Sequence, residues 1–301
     1  MKETFVEKSF SKKTVAVLGQ ANEIIEELQE QGFDLTVRQL YYQFVQRGLI
    51  PNTQSEYRKL KDAINNGRLA GLVDWEAIVD RTRTSRGIGH WHNPQDIISS
   101  AASSYAKDTR RTQKHYVEVW VEKDALIGIV GKIADDLDIK YFSCRGFTSQ
   151  TSMYDAGHRF MNQEVGGKGT ILLYLGDHDP SGLDMVRDIQ ERLTMFGSEV
   201  FVKQIALTMD QIEEFSPPPN PAKVTDSRYE AYQELYGDDS WELDALDPRR
   251  IETIIRDGVE SFTDEPARKE IISEQEQERT QLNEIANLYD DIVAEFLGYE
   301  E

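Results

Sequence analysis

The chain has 301 residues, which is long enough for two domains, because a single hydrophobic core usually stops growing beyond about 250 residues. Its 39% hydrophobic content without a run of 18 apolar residues excludes a membrane-spanning protein, and its single cysteine, Cys144, excludes a disulfide framework or a cysteine-built zinc site. A net charge of −20 excludes a uniformly basic DNA-binding protein, and we expect a cytoplasmic protein with no membrane partner.

Three short helices are predicted in the first third of the chain. Apolar residues recur at helical spacing from Val17 to Leu28, and Gly32 ends this first helix. Capping boxes over residues 36–39 and 53–56 begin the second and third helices. A polar, basic hairpin over residues 80–87 follows, and this order is typical of a winged helix-turn-helix domain, which we predict over residues 1–114.

Basic residues are concentrated in the same region. Residues 1–116 hold 17 Lys and Arg against 14 Asp and Glu, whereas residues 117–301 hold 17 against 40. Because DNA phosphates are bound by Lys and Arg, we expect duplex DNA to bind the first part of the chain. The predicted DNA contacts come from the free side of the third helix and from the hairpin, and they are Arg58, Lys59, Lys61, Arg83 and Arg86.

From residue 115 the pattern changes to alternating strands and helices. Strands are predicted over residues 115–122, 141–144, 170–175 and 199–207, with helices over 125–137, 181–196 and 209–215. This pattern predicts an open, mostly parallel α/β sheet as a second domain over residues 115–215. A strand over 241–246, a helix from Pro248 and a long acidic helix from about Pro266 form the predicted extension, 216–301, which completes the second domain or forms a dimer contact.

Three carboxylates follow two predicted strands, and we expect them to meet at one edge of the sheet. Glu122 follows the first strand, and Asp177 and Asp179 follow the buried strand that ends at Leu175. They could hold one or two Mg²⁺ ions, or Mn²⁺ in their place, and so support phosphoryl displacement. The alternative is that Asp177 and Asp179 only cap the turn and that Glu122 is solvated.

Two motifs around these carboxylates resemble the signatures of the Toprim domain. They are residues 119–123, VWVEK, and residues 175–182, LGDHDPSG. The resemblance implies Mg²⁺-dependent chemistry or binding at a phosphodiester, with Glu122, Asp177 and Asp179 as the acidic set. Lys123, next to Glu122, either contacts a DNA phosphate or balances local negative charge.

A tyrosine in the second helix is a candidate nucleophile. Tyr41 belongs to the apolar stripe of this helix, whereas Tyr42 is turned about 100° away and lies one turn after Arg38, so we expect Arg38 and Tyr42 to share an exposed edge. Such a guanidinium would hold a phosphate and favour the phenolate. The alternative is an ordinary surface tyrosine on a DNA-binding helix.

The string RQLYY over residues 38–42, in a winged helix before a Toprim domain, resembles the catalytic helix of topoisomerase VI A subunits and of the related meiotic double-strand-break protein. The resemblance covers about residues 15–215, and it also extends to compact, stand-alone proteins of phages and plasmids. It implies that Tyr42 forms a 5′-phosphotyrosyl bond and reseals it. It further implies a homodimer in which the nucleophile of one protomer works with the metal site of the other, and it leaves open a separate ATPase subunit.

Two other functions remain open from the sequence. One is a Toprim-type nuclease that hydrolyses DNA with metal-bound water, in which Tyr42 has no part. The other is a DNA-binding regulator in which the winged helix reads sequence and the carboxylate site is structural. Covalent protein–DNA adducts would indicate the transesterase, free phosphate ends the nuclease, and binding without strand breaks the regulator.

Overall fold

The computed structural model describes residues 2–78, 90–146 and 148–297, and the chain divides into two compact units. The first unit comprises Met1–Arg83 and His115–Ser261, and the second comprises Thr84–Lys114 and Phe262–Glu301. This grouping differs from the predicted three-part division, because the segment before residue 115 packs with the C-terminal helices rather than with the first helices. The predicted hairpin, with Arg83 and Arg86, lies outside the described residues.

Helices and strands alternate from residue 115 to residue 260. The helices are α1 (Lys12–Glu30), α2 (Val37–Gln46), α3 (Gln54–Leu69), α4 (Pro94–Ser104), α5 (Ile127–Leu137), α6 (Gln150–Val165), α7 (Pro180–Met195), α8 (Met209–Phe215), α9 (Tyr229–Tyr236), α10 (Pro248–Glu260), α11 (Glu265–Asn287) and α12 (Tyr289–Leu297). The strands are β1 (His115–Val121), β2 (Lys140–Ser143), β3 (Gly169–Leu175), β4 (Phe201–Ala206), β5 (Asn220–Pro221) and β6 (Asp239–Ser240). Within the described residues, none of the helices has the length and apolar character that crossing a membrane requires.

Helices α2 and α3 begin where their predicted capping residues place them. The Thr36 hydroxyl accepts from the backbone N–H of Gln39, whose side chain accepts from the N–H of Thr36, so the predicted capping box is confirmed. The Thr53 hydroxyl caps α3 by accepting from the backbone N–H of Glu56. Each cap satisfies N–H groups that the first helical turn leaves without partners. These helices therefore start at positions that local sequence determines.

A four-stranded parallel sheet with the order β2-β1-β3-β4 forms the centre of the first unit, which confirms the predicted parallel α/β sheet. Helices α6 and α7 pack on one face around Trp120 and Tyr174, and α5 and α10 pack on the other. Strands β1 and β3 pair in register from His115 with Gly169 to Val121 with Leu175. Both strands therefore end at the same edge.

Strand β1 is buried on both faces, although its sequence alternates. Val117, Val119 and Val121 are buried as expected, and Glu118 on the opposite face is 1% exposed. The Glu118 carboxylate accepts from Nε and Nη2 of Arg159 on α6, at 2.6 and 2.9 Å. A central strand needs both faces covered, and here an ion pair replaces an apolar contact on one of them.

The prediction of a strand over residues 241–246 is wrong. Trp241 makes two backbone hydrogen bonds with His178, at 2.9 and 3.0 Å, and a 3₁₀ turn follows at Leu243–Ala245. Apolar and acidic residues alternate in this segment, but the apolar residues Leu243 and Ala245 are buried by a turn and not by one face of a strand. Helix α6 is an element that the sequence analysis missed, because only Met153 and Phe160 are large among its buried residues.

The second unit consists mainly of α4, α11 and α12. The Tyr105 hydroxyl donates to Glu278 at 2.6 Å, and Lys107 pairs with Glu278 at 2.7 Å. The acidic C-terminal helix predicted from Pro266 is present as α11, and α12 follows it. Four apolar side chains of this region are exposed in the single chain: Ile285, Leu288, Ile292 and Phe296.

Candidate active site

The carboxyl ends of β1 and β3 bring two of the predicted carboxylates together. Glu122 follows β1, and its backbone N–H donates to the carbonyl of Leu175 at 2.8 Å, which continues the ladder between the strands. One oxygen of the Glu122 side chain then accepts the backbone N–H of Asp177 at 2.9 Å. Burial, with the nearby charge of Asp179, raises the pKa of Glu122 above its ordinary value.

Asp179 lies at the N-terminus of α7, where it has a structural task as well. Its Oδ1 atom accepts the backbone N–H of Gly182 at 2.6 Å and caps the helix. Gly182 has to be a glycine here, because a Cβ at this position would lie 2.3 Å from the carbonyl oxygen of Asp177. Asp179 therefore caps α7, as both interpretations allow, and the cap also holds this carboxylate where its charge acts on Glu122.

A cavity of about 540 Å³ opens at this edge of the sheet, and ionisable side chains make up much of its lining. Carboxylates contribute Glu122, Asp124, Asp177, Asp179, Glu242 and Asp244, and cations contribute Arg38, Lys123, Arg145 and Lys223. The three predicted carboxylates therefore share one cavity with Arg38 and Lys123. Charges of both signs are dense here, with six carboxylates and four cations among these lining residues.

Lys123 lies between three carboxylates. Its ammonium is 3.0 Å from Asp177, 2.9 Å from Glu242 and 3.1 Å from Asp244. Burial acts to lower the pKa of Lys123, but Asp244, Asp177 and Glu242 raise it above its ordinary value, so the ammonium is charged. Lys123 was expected to contact DNA or to balance local charge, and in this structure it balances charge.

Arg38 and Tyr42 are neighbours on α2, as predicted. The guanidinium donates to the Tyr42 hydroxyl at 3.3 Å, and it also pairs with Glu242 and Asp244. The prediction that Tyr42 lies on an exposed edge is wrong, because Tyr42 is 3% exposed. It is buried because α2 packs against the 3₁₀ turn at Leu243–Ala245. Burial, followed by the charges of Asp244 and Glu242, raises the pKa of Tyr42 above its ordinary value.

The neighbouring Tyr41 has a different environment. Its hydroxyl donates to Oδ1 of Asn52 at 2.9 Å and to the backbone carbonyl of Thr53 at 3.2 Å. Both acceptors belong to the turn that precedes α3. Tyr41 therefore joins α2 to the start of α3, which agrees with its assignment to the apolar stripe.

The carboxylates fit a Mg²⁺ site with two ligands better than one with three. Among the described residues, no group of three or more His, Cys, Asp and Glu side chains could hold a metal ion. Asp177 is committed elsewhere, since it accepts the N–H of Leu243 at 2.8 Å and pairs with Lys123. Glu122 and Asp179 each use one oxygen for a backbone N–H. Mg²⁺ is usually bound through one or two carboxylates and keeps several waters, so Glu122 and Asp179 are the candidate ligands.

Of the described cations predicted for DNA binding, Lys123 lines the cavity, whereas Arg58, Lys59 and Lys61 are not among its lining residues. Arg58, Lys59 and Lys61 are exposed on α3, and Lys59 pairs with Glu56 of the same helix at 2.6 Å. Arg83 and Arg86 lie in the part of the chain that the structure does not describe. The surface of α3 and Lys123 are therefore the described parts of the predicted DNA contact.

Glu242 and Asp244 were missed by the sequence analysis, although they contact both Arg38 and Lys123. The available signal was the pair of acidic residues two positions apart between apolar residues, in WELDAL over 241–246. Because this segment was predicted as a strand of the extension, its acidic residues were not assigned to the site.

No family model, curated protein or solved structure matches the chain.

Proposed function

We propose that the chain is a Mg²⁺-dependent DNA-cleaving enzyme of the topoisomerase VI A-subunit type, with a winged helix built on α1–α3 and a Toprim domain built on the parallel sheet. Its substrate would be duplex DNA, cut by a homodimer with one site for each strand. One observation carries the proposal. Arg38, which donates to the hydroxyl of Tyr42, lines the same cavity as Glu122 and Asp179.

The chemistry is an exchange of one phosphodiester for another. The Tyr42 oxygen attacks the phosphorus and loses its proton, the bond from phosphorus to the 3′ oxygen breaks, and that oxygen leaves protonated as a 3′ hydroxyl. The 5′ phosphate stays on Tyr42, and the reverse reaction reseals the strand. Arg38 would stabilise the phenolate and the phosphate charge. When bound by Glu122 and Asp179, Mg²⁺ would supply further positive charge at the phosphate oxygens.

One observation favours a second function. Tyr42 is buried and its pKa is raised, so the phenol is protected in this structure and must become accessible before it can attack DNA. A nuclease that cleaves DNA with an activated water would not need that change. The carboxylates and cations of the cavity would then serve hydrolysis, and Tyr42 would be a packing residue.

The test is a Mg²⁺ reaction on supercoiled plasmid, stopped with denaturant and assayed for protein-linked DNA ends. The wild-type chain should give 5′ protein-linked ends. Tyr42→Phe should abolish them with duplex binding nearly unchanged, because only the nucleophilic oxygen is removed. Tyr41→Phe is the matched control and should retain them. Strand breaks with free phosphate ends in both variants would establish the nuclease instead.

A further inference from the structure

A single carboxylate oxygen connects two of the four cations that line the cavity, Arg38 and Lys123. Oε2 of Glu242 accepts from Nη2 of Arg38, and it also accepts from the ammonium of Lys123 at 2.9 Å. A non-bridging oxygen of a phosphodiester accepts from a guanidinium and an ammonium in the same way. The geometry around this atom is therefore that of a bound phosphate oxygen.

Asp244 contacts the same two cations from a more buried position. Its Oδ2 atom lies 3.0 Å from Nε of Arg38, and its Oδ1 atom lies 3.1 Å from the ammonium of Lys123. The Asp244 side chain is 1% exposed, whereas that of Glu242 is 26% exposed. One carboxylate is therefore enclosed by protein, and the other is open to the cavity.

We propose that Glu242 occupies the place of a DNA phosphate in the free protein, that a phosphodiester displaces it to bind Arg38 and Lys123, and that Asp244 remains as the positioning residue that holds these cations side by side. This proposal rests on the proposed function for the identity of the ligand as DNA. It assigns opposite roles to two acidic residues that differ by two positions in the sequence.

The charges make displacement necessary. Burial acts to raise the pKa of Glu242, but Lys123 and Arg38 lower it to about 2, so its carboxylate is ionised at neutral pH. A phosphodiester that entered beside an unmoved Glu242 would face that charge as well as those of Asp177 and Asp244. When one anion replaces the other, Arg38 and Lys123 keep one singly charged acceptor in direct contact, and the Glu242 carboxylate is farther from it.

Displacement requires only rotation of one side chain. The backbone on both sides of Glu242 is fixed, because Trp241 makes two hydrogen bonds with His178 and the N–H of Leu243 donates to Asp177 at 2.8 Å. The glutamate side chain has three rotatable bonds beyond this fixed backbone. Asp244 has no comparable freedom, since it is enclosed between Arg38 and Lys123.

The experiment measures duplex DNA binding by fluorescence anisotropy, in chelator so that no strand is cut, over a range of salt concentrations. Glu242→Gln should bind about fivefold more tightly than the wild type, because a competing anion is removed. Asp244→Asn should bind about fivefold more weakly with a flatter salt dependence, because Arg38 and Lys123 lose their common anchor. Exposed Glu213→Gln on α8 is the control for loss of one negative charge.

Opposite signs for the two variants would support the proposal, since a general repulsion of DNA predicts that both bind more tightly. Thermal unfolding checks that each variant is folded. If Asp244→Asn does not fold, the comparison of Glu242→Gln with Glu213→Gln still tests whether Glu242 competes with DNA for Arg38 and Lys123. Equal binding by those two variants would overturn the proposal and leave the proposed function intact. Tighter binding by Glu242→Gln, with no cleavage by the wild type in Mg²⁺, would support the proposed position of the phosphate and contradict the proposed role of Tyr42 as nucleophile. Absence of binding in every variant would overturn both.

Discussion

Nε of Arg38 lies 3.0 Å from Oδ2 of Asp244, so the helix that carries Tyr42 is joined to the carboxylate cavity of its own chain. The family resemblance implies a site shared between protomers, whereas this contact favours a site within one chain. We therefore expect a mixed dimer of one wild-type chain and one chain carrying both Tyr42→Phe and Glu122→Gln to nick DNA, because one complete site remains.

The reciprocal mixed dimer provides the control. When one chain carries Tyr42→Phe and the other carries Glu122→Gln, a site within each chain has one defect, so no strand should be cut. Sites shared between protomers predict the reverse in both dimers. Nicking of plasmid by purified dimers with two different tags measures the outcome, and nicking by the reciprocal dimer alone would contradict our expectation.

The exposed cations of α3 should act through the DNA backbone. Replacing Arg58 and Lys61 together with Gln should weaken binding to all duplex sequences and flatten the dependence of log K on log salt by about two units. Lys203→Gln, on the exposed side of β4, should leave that slope unchanged. An unaltered slope in the double variant would exclude the free surface of α3 as the DNA contact.

The ion pair under β1 should contribute strongly to stability. Glu118 accepts from Arg159, from the Tyr116 hydroxyl at 2.6 Å and from the Trp120 indole at 2.9 Å. Glu118→Gln should lower the free energy of unfolding by about 3 kcal/mol, because it leaves a partly buried guanidinium without its counter-charge. Urea unfolding measures the loss.

The matched control is Glu191→Gln, which breaks an ion pair with Arg187 on the exposed face of α7. Solvent screens that pair, so the effect should be far smaller than for Glu118→Gln. Similar losses for the two variants would mean that burial does not determine the contribution of Glu118.

Cys144 should be unreactive in the folded protein. Burial raises the pKa of its thiol to about 12, so at pH 8 only about one molecule in ten thousand carries the reactive thiolate. The pKa of this thiol is higher in the folded chain than in the unfolded chain. The protonated thiol therefore stabilises the fold fully at pH values below the unfolded-state pKa, and this contribution is lost as the pH rises toward 12. Ellman's reagent at pH 8 should label the unfolded chain rapidly and the native chain slowly. Rapid labelling of the native chain would contradict burial.

Local sequence predicted those elements of the site that depend on near neighbours. Thr36 caps α2 three residues from its partner, and Glu122 reaches the sheet edge because it ends a strand. The pairing of Arg38 with Tyr42 follows from one helical turn. Each of these features is determined within a few residues, so spacing alone identifies it.

The remaining features of the site depend on residues far apart in the chain. Lys123 and Glu242 are 119 positions apart, and Gln46 on α2 contacts the carbonyl of Ala245 at a separation of 199. The spacing within α2 predicts which face Tyr42 occupies, but it carries no information about the turn that covers this face. For that reason the burial of Tyr42 and the role of Glu242 could not be predicted.

The hydrogen bond from Tyr105 to Glu278 spans 173 positions of the chain. During synthesis α4 leaves the ribosome long before α11 exists, so the second unit cannot form until α11 has been translated. The first unit can complete its sheet earlier, because β4 ends at Ala206. A nascent chain arrested shortly after Ser261 would therefore contain all residues of the cavity with α4 still lacking its packing partner.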